Sequence, residues 1–122
     1  MKHILIVEHV EHLQNLLDYA ITPFEDVDVD WSFVATKQEA LDAVPSIEPQ
    51  VLIVDADLPD GSAPALCDTL RERSGVKIIL LQPMNQPLQG LGCAPDATVT
   101  KPFDPTELQL VLGKLLGIRV EP

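Results

Sequence analysis

The sequence predicts a doubly wound α/β domain, in which helices cover both faces of a parallel sheet. Three short apolar runs carry this prediction: Ile4–Val7, Val51–Val54 and Ile78–Leu81. Each run is apolar on both faces, as strands are when helices cover both sides of a parallel sheet. Segments with apolar residues at helical spacing separate the runs, so strands and helices alternate along the chain.

Two further strands are predicted by other signals. From Asp26 to Phe33 apolar and polar residues alternate strictly. Strict alternation is typical of a strand with one buried and one solvent-facing side, so we expect this strand at an edge of the sheet. A shorter strand is predicted at Ala97–Val99. The sheet is therefore expected to have five strands.

Capping residues mark the helices between these strands. The second helix is predicted to begin after Thr36, which stands three residues before Glu39 as in a capping box. The last helix begins with Asp104 and Pro105 and ends at Gly117. The first and third helices are predicted by apolar residues at helical spacing: Val10, Leu13, Leu17 and Ile21 in the first, and Leu66, Cys67 and Leu70 in the third.

The segment between Gln82 and Asp96 lacks a regular helical signal. It contains residues that interrupt helices: Pro83, Pro87, Gly90, Gly92 and Pro95. The fourth helix is therefore expected to be short or distorted.

Length and charge limit the possible functions. The 122 residues have room for one domain, which we expect to span residues 1–122. With 46% apolar residues the chain supports a packed core. Its 8 basic and 19 acidic residues give a formal charge of -11, which disfavours binding to nucleic acid or to an anionic membrane surface.

Targeting signals and cysteine content favour a cytoplasmic protein. The apolar run before Glu8 is too short for a signal peptide, and no stretch approaches the length of a transmembrane helix. The two cysteines, Cys67 and Cys93, are too few for a disulfide framework, and Cys67 is predicted to be a buried, small apolar side chain. We therefore expect the protein in the reducing cytoplasm.

Polar residues follow the buried strands at one edge of the predicted sheet. They are Glu8, His9, Asp55, Gln82 and Lys101. Ligands of doubly wound sheets bind beyond the carboxyl ends of the strands, which is where these residues are expected to meet. The set therefore predicts a functional site at this edge.

Three blocks of the sequence resemble the receiver domains of two-component response regulators. The first is the strand that runs into Glu8, the second is Val51–Asp55 with the following Asp57–Gly61, and the third is Lys101–Phe103. The resemblance covers the full length of the chain. It implies a flavodoxin-like (βα)5 fold with strand order 2-1-3-4-5, and a function in phosphorelay signal transduction rather than as an enzyme.

The resemblance implies a role for each matching residue. Asp55 corresponds to the phosphoacceptor, which takes a phosphoryl group from a histidine kinase or a phosphotransfer protein. Glu8, Asp55 and the backbone carbonyl of Asp57 correspond to the groups that hold Mg2+. Lys101 corresponds to the lysine that neutralises a phosphoryl oxygen.

Four positions depart from the family pattern. His9 replaces a second acid, and a neutral imidazole is a poor ligand for Mg2+, so magnesium binding is expected to be weak or absent. Gln82 replaces the switch Thr or Ser, Pro83 lacks the backbone N–H that relatives offer to the phosphoryl group, and Thr98 replaces the aromatic switch residue. These departures leave open a second hypothesis, a phosphorylation-independent pseudo-receiver that acts as a protein-interaction module.

Two alternative interpretations concern the residues at this edge. In the first, Lys101 and Asp55 form a structural ion pair that holds the edge closed when no metal is bound. In the second, His9 and His12, three residues apart at the start of the first helix, hold zinc or nickel together with Glu8 and Asp55.

A remote alternative is enzymatic. The strand that ends in Asp55-Ala56-Asp57 also resembles the opening motif of haloacid-dehalogenase-type phosphatases. In that family the first Asp is the nucleophile and the second is a general acid. This chain has Gln82 where those enzymes need Ser or Thr, and it lacks their later acid pair.

The last helix is more apolar than one stripe packed on a sheet requires. Its apolar residues are Leu108, Leu110, Val111, Leu112, Leu115 and Leu116. The excess predicts a partner surface, for a homodimer or for a further domain.

Overall fold

The computed structural model describes residues 2–58, 61–62, 66–70, 75–83, 95–101 and 103–118. The strands within these residues are, in chain order, β1 (Lys2–Val7), β2 (Val29–Val34), β3 (Val51–Asp55), β4 (Asp57–Leu58), β5 (Gly61–Ser62), β6 (Lys77–Pro83) and β7 (Ala97–Lys101). Five of them form one parallel sheet in the order β2-β1-β3-β6-β7, while β4 and β5 pair with each other in antiparallel fashion. Counted within the main sheet alone, the order is 2-1-3-4-5, and this confirms the predicted flavodoxin-like fold.

Helices alternate with the strands of the main sheet. They are α1 (Glu11–Ile21), α2 (Lys37–Ile47), α3 (helical at residues 66–70) and α4 (Pro105–Leu116). Helices α1 and α4 pack on one face of the sheet, and α2 and α3 pack on the other. Both faces are therefore covered, as the apolar runs predicted.

The core consists of one apolar cluster on each face of the sheet. Because side chains alternate along a strand, neighbouring strand residues enter different clusters. The cluster under α1 and α4 receives, among others, Ile4, Ile6, Ile53, Ile79 and Leu81. The cluster under α2 and α3 receives Leu5, Val7, Leu52, Val54 and Leu80. This double burial fixes β1, β3 and β6 in the middle of the sheet, so their carboxyl ends lie side by side.

Strand β2 lies at the edge of the sheet, as predicted, but it begins three residues later than the alternation indicated. Residues Thr22–Val27 form a 3-10 helix, and Asp28 follows it in the left-handed conformation with φ 64°. Pro23 stands at the start of that helix, where its fixed φ favours a turn over a strand. The predicted start at Asp26 is therefore wrong, because local turn chemistry overrides the alternating pattern.

The predicted helix caps are present. The Thr36 hydroxyl accepts a hydrogen bond from the Glu39 backbone N–H at 3.1 Å. The Asp104 carboxylate accepts one from the Thr106 N–H at 2.9 Å, and Gly117 ends α4 with φ 71°. The sequence therefore located both helix starts correctly.

Two other predictions have different outcomes. The predicted short or distorted fourth helix falls largely in residues 84–94, which lie outside the described residues. Cys67 is buried as predicted, but it is disulfide-bonded, which the cysteine count did not predict. Among the residues described, no helix has the length and apolar character needed to span a bilayer.

Candidate functional site

Three charged side chains meet at the carboxyl edge of the sheet. Glu8 directly follows β1, Asp55 ends β3 and Lys101 ends β7. The Lys101 ammonium donates to Asp55 Oδ2 at 2.8 Å, across the intervening strand β6. Residues that are 46 positions apart in sequence thus form one ion pair, and the predicted alternative of an Asp55–Lys101 pair is present in the structure.

The two carboxylates of this site are buried. Glu8 is 0% exposed and Asp55 is 1% exposed, and they are the buried charged residues of the described part of the chain. The Lys101 side chain retains 21% exposure. Burying a carboxylate without a compensating partner costs roughly several kcal/mol in proteins. A site with two buried carboxyl groups next to one cation therefore requires an explanation.

Glu8 is only half satisfied by its surroundings. Its Oε1 accepts a hydrogen bond from the Val10 backbone N–H at 3.1 Å, whereas its buried Oε2, as a carboxylate oxygen, has no hydrogen-bond donor within the described residues. Burial is the largest of the causes that together raise the pKa of Glu8 to about 8, followed by a side-chain hydrogen bond with Asp55 and the charge of Asp55, while the Val10 N–H and the Lys101 ammonium act in the opposite direction. Glu8 therefore holds a proton at neutral pH unless a cation replaces that proton.

The donor chemistry of this pocket fits a hard cation. Glu8 Oε2 is an orphaned oxygen beside the buried carboxylate of Asp55, and Mg2+ prefers carboxylate and carbonyl oxygens. The backbone of Asp57 lies in β4, which begins two residues after Asp55. A dication between the two carboxyls would replace the proton of Glu8 and balance the second negative charge.

The two histidines beside the site do not build a transition-metal centre. His9 is exposed, with Nδ1 3.8 Å from Glu8 Oε1, and His12 is also exposed. Within the described ranges there is no group of three or more His, Cys, Asp or Glu side chains that could hold a metal ion. Within these residues the structure does not bring His9, His12, Glu8 and Asp55 together in the way that the zinc or nickel hypothesis requires.

One residue that supports the site was not predicted from the sequence. Gln14, in the second turn of α1, donates from Nε2 to the Glu8 backbone carbonyl at 2.6 Å. This bond fixes the backbone of Glu8 at the point where the chain leaves β1 for α1. A polar residue in an amphipathic helix normally indicates the solvent face, so no sequence signal distinguished Gln14 from its exposed neighbours.

A comparison with protein families assigns the whole domain to one of them. The family model for the response regulator receiver domain matches residues 4–112. The chain belongs to the response regulator receiver family. Its members are signalling modules that generally bind Mg2+ at their phosphorylation site and interact with histidine kinases or phosphotransfer proteins. The assignment favours the receiver over the haloacid-dehalogenase resemblance.

Curated relatives of this receiver domain are longer regulators. The DNA-binding response regulator MtrA of Mycolicibacterium smegmatis is 33% identical over 82 residues, which are 65% of this chain and 36% of MtrA. The probable transcriptional regulator ycf27 of Cyanophora paradoxa is 27% identical over 118 residues, which are 94% of this chain and 48% of that protein. The chain therefore spans half or less of the length of these relatives.

Solved receiver structures superpose on nearly the whole chain. The receiver domain of the TMAO respiratory system response regulator TorR has a TM-score of 0.83 at 29% identity, over 96% of this chain and 98% of that one. The receiver domain of a signal transduction histidine kinase from Syntrophus aciditrophicus has a TM-score of 0.83 at 26% identity, over 99% and 96%. These similarities agree with the strand order found here.

The three other positions that depart from the predicted family pattern lie in strands β6 and β7. Gln82 is half-buried near the end of β6, and the backbone of Pro83 lies in register with Lys101. Thr98 is exposed in β7. The edge therefore combines the Asp55–Lys101 ion pair with the amide side chain of Gln82 near the end of the neighbouring strand.

Proposed function

We propose that this receiver domain, spanning residues 1–122, accepts a phosphoryl group on Asp55 from a histidine kinase or a phosphotransfer protein. The observation that carries the proposal is the buried Asp55–Lys101 ion pair beside the orphaned Glu8 oxygen. A purely structural ion pair does not require a second buried carboxyl, protonated at neutral pH, in the same pocket. A phosphoryl-transfer site needs both carboxyls to hold a cation.

Each residue has a defined task in the proposed transfer. An oxygen of the Asp55 carboxylate forms a bond to phosphorus while the bond from phosphorus to the donor imidazole nitrogen breaks. The departing imidazole takes up a proton and returns to its neutral form. Lys101 is already within 2.8 Å of Asp55 and balances the charge that the incoming phosphoryl oxygens bring. The product is an acyl phosphate, which water hydrolyses readily.

We further propose that Glu8, Asp55 and the Asp57 backbone carbonyl hold Mg2+ during transfer. The ion would supply electrostatic stabilisation of the phosphoryl oxygens. The binding is weak because His9 stands in place of a second acid and lies in solvent. The charge of the missing carboxylate corresponds to a gross attraction of about 4 kcal/mol per unit charge of the cation, at 4 Å and an effective dielectric constant near 20.

We expect this receiver to respond to phosphorylation differently from the family pattern, because it departs from that pattern at three positions: Gln82, Pro83 and Thr98. An amide at Gln82 offers N–H donors to a phosphoryl oxygen, but its reach differs from that of a hydroxyl. Pro83 has no backbone N–H to add, and Thr98 has no ring to move between buried and exposed positions. We therefore propose that phosphorylation alters the surface of this domain through a route other than the Thr–aromatic relay.

The compartment and partners follow from the same proposal. A phosphoryl donor that draws on ATP is a cytoplasmic kinase, so we place the protein in the cytoplasm. The charge of -11 keeps this domain away from nucleic acid and anionic membrane. Leu110 of α4 is 54% exposed, which supports a partner at this helix, either a second copy or a further domain like those of the longer relatives.

The deciding experiment is intact mass spectrometry after incubation with acetyl phosphate and Mg2+. We expect one phosphoryl adduct on the wild-type protein, and none on Asp55→Asn, since the amide oxygen is a poor nucleophile. Asp68→Asn is the matched control, because Asp68 is an exposed acid on α3, and its adduct should equal that of the wild type. An unmodified wild type would instead identify a phosphorylation-independent pseudo-receiver.

Restoring the missing acid should strengthen magnesium binding. In His9→Asp a second carboxylate follows Glu8, and its attraction to the dication should raise the Mg2+ affinity at least about tenfold. Isothermal titration calorimetry of the two proteins measures the change. His12→Asp, which adds the same charge one turn further along the exposed face of α1, should leave the affinity within a factor of about two. Equal gains in the two variants would show that only the net charge matters.

A further inference from the structure

A second constellation of reactive side chains lies on the edge strand, away from the phosphorylation site. His3 Nε2 is 2.9 Å from Ser32 Oγ, and His3 Nδ1 is 3.7 Å from Asp30 Oδ2. His3 lies in β1 opposite Asp30 of β2, and Asp30 and Ser32 alternate with Trp31, so their side chains point to one face. The trio sits near the start of β1, whereas Glu8 follows its end.

The contacts resemble those of a catalytic triad, in which Ser32 is the nucleophile, His3 is its base and Asp30 is the acid next to the base. A separation of 2.9 Å is within the range for a hydroxyl and the imidazole that takes its proton. The contact from His3 to Asp30 is too long for a hydrogen bond, and Asp30 is 60% exposed, so the acid acts through its charge. Ser32 and His3 are both partly exposed.

The open edge of the sheet adds a backbone donor next to Ser32. The carbonyls of Asp28 and Val34 accept hydrogen bonds from β1, so the even-numbered residues of β2 direct their backbone groups inward. Phe33, with the opposite parity, directs its N–H toward the open edge, where it has no hydrogen-bond partner within the described residues. A free N–H one residue after a nucleophile is a donor of the kind that stabilises an oxyanion.

From these contacts we infer that Ser32 is a nucleophile for acyl transfer, with His3 as its general base, and that the site takes small activated carboxylic esters. His3 Nε2 accepts the proton of Ser32 Oγ as the oxygen bonds to the ester carbonyl carbon. The bond from that carbon to the leaving oxygen then breaks, and the proton passes from His3 to the leaving alcohol. Water cleaves the resulting serine ester by the same route and releases the carboxylic acid.

The test uses p-nitrophenyl acetate with the full chain, following nitrophenolate release and mapping the acetyl group by peptide mass spectrometry. We expect an acetyl group on Ser32 that is absent in Ser32→Ala. In His3→Gln the rate of acetylation at Ser32 should fall about 100-fold, the factor typical of a general base. Asp30→Asn should give a rate between those of the wild type and His3→Gln.

Two matched controls separate this site from unspecific surface chemistry. Ser46 is an exposed serine on α2 and His12 is an exposed histidine on α1, so Ser46→Ala and His12→Gln should leave the acetylation of Ser32 unchanged. Circular dichroism spectra and melting temperatures close to those of the wild type verify that Ser32→Ala and His3→Gln fold. Acetylation that is spread equally over Ser32 and Ser46, or that persists at Ser32 in folded His3→Gln, would overturn the inference.

Discussion

Replacement of Lys101 by methionine should lower the free energy of unfolding at neutral pH by about 3 kcal/mol, the cost typical of removing one partner from a buried ion pair. The reason is that Asp55 is 1% exposed and takes its hydrogen bond at Oδ2 from the Lys101 ammonium. Methionine keeps most of the length of the unbranched side chain but not its charge. The Asp55 carboxylate would then be buried next to Glu8 without its cation. Urea denaturation at pH 7 in the absence of Mg2+ measures the change.

Two further variants test whether charge is the cause of this loss. Lys114→Met removes an exposed lysine in the last turn of α4, where the helix dipole interaction is worth less than about 1 kcal/mol. In an Asp55→Asn background, Lys101→Met should cost far less than in the wild type, because the neutral amide no longer needs the ammonium. An equal loss in both backgrounds would show that packing of the lysine side chain, and not the ion pair, determines the stability.

Replacement of Glu8 by glutamine should raise the free energy of unfolding of the metal-free protein at pH 8 by roughly a few kcal/mol. The pKa of Glu8 in the folded protein is about 8 against an ordinary value of 4.5, so the folded state holds this proton more tightly than the unfolded state. The folded state is favoured while Glu8 is protonated. This contribution to the free energy of unfolding is complete below about pH 4.5 and is lost as the pH rises through about 8.

The measurement is a series of denaturation curves between pH 5 and pH 8. In the wild type, Glu8 should make the free energy of unfolding fall with pH by at most about 1.4 kcal/mol per unit, the value for one proton. In Glu8→Gln this fall should disappear, since the amide is neutral throughout while its oxygen retains the position that accepts the Val10 N–H. Glu11→Gln, which changes an exposed acid at the start of α1, should keep the pH dependence of the wild type.

Magnesium provides an independent check on the same residue. A cation bound to the folded state alone stabilises it, so Mg2+ at pH 8 should raise the melting temperature of the wild type and leave that of Glu8→Gln nearly unchanged. If Mg2+ raises both melting temperatures equally, Glu8 does not hold the cation. If the wild type and Glu8→Gln have parallel pH curves, the burial of Glu8 Oε2 does not raise its pKa.

Much of the fold could be predicted because its signals are local. Runs that are apolar on both faces indicated the central strands. Thr36 and Asp104 indicated where α2 and α4 begin, since a capping side chain accepts hydrogen bonds from N–H groups two or three residues away. The start of β2 was misplaced for a related reason. The alternation from Asp26 predicts a strand, but the turn that begins at Pro23 competes with it, and the sequence does not say which preference prevails.

The sequence by itself determined which residues reach the carboxyl edge of the sheet, because the strand ends place Glu8, Asp55 and Lys101 there. Only the tertiary structure decided their charge state and pairing. The packing of the five strands determines whether Lys101 reaches across β6 to Asp55. It also determines how far water is excluded from Glu8, and therefore whether one oxygen of Glu8 is buried without a hydrogen-bond donor. The contact between His3 and Ser32 is likewise decided by the tertiary structure. The two residues are 29 positions apart in sequence and meet because of the register between β1 and β2.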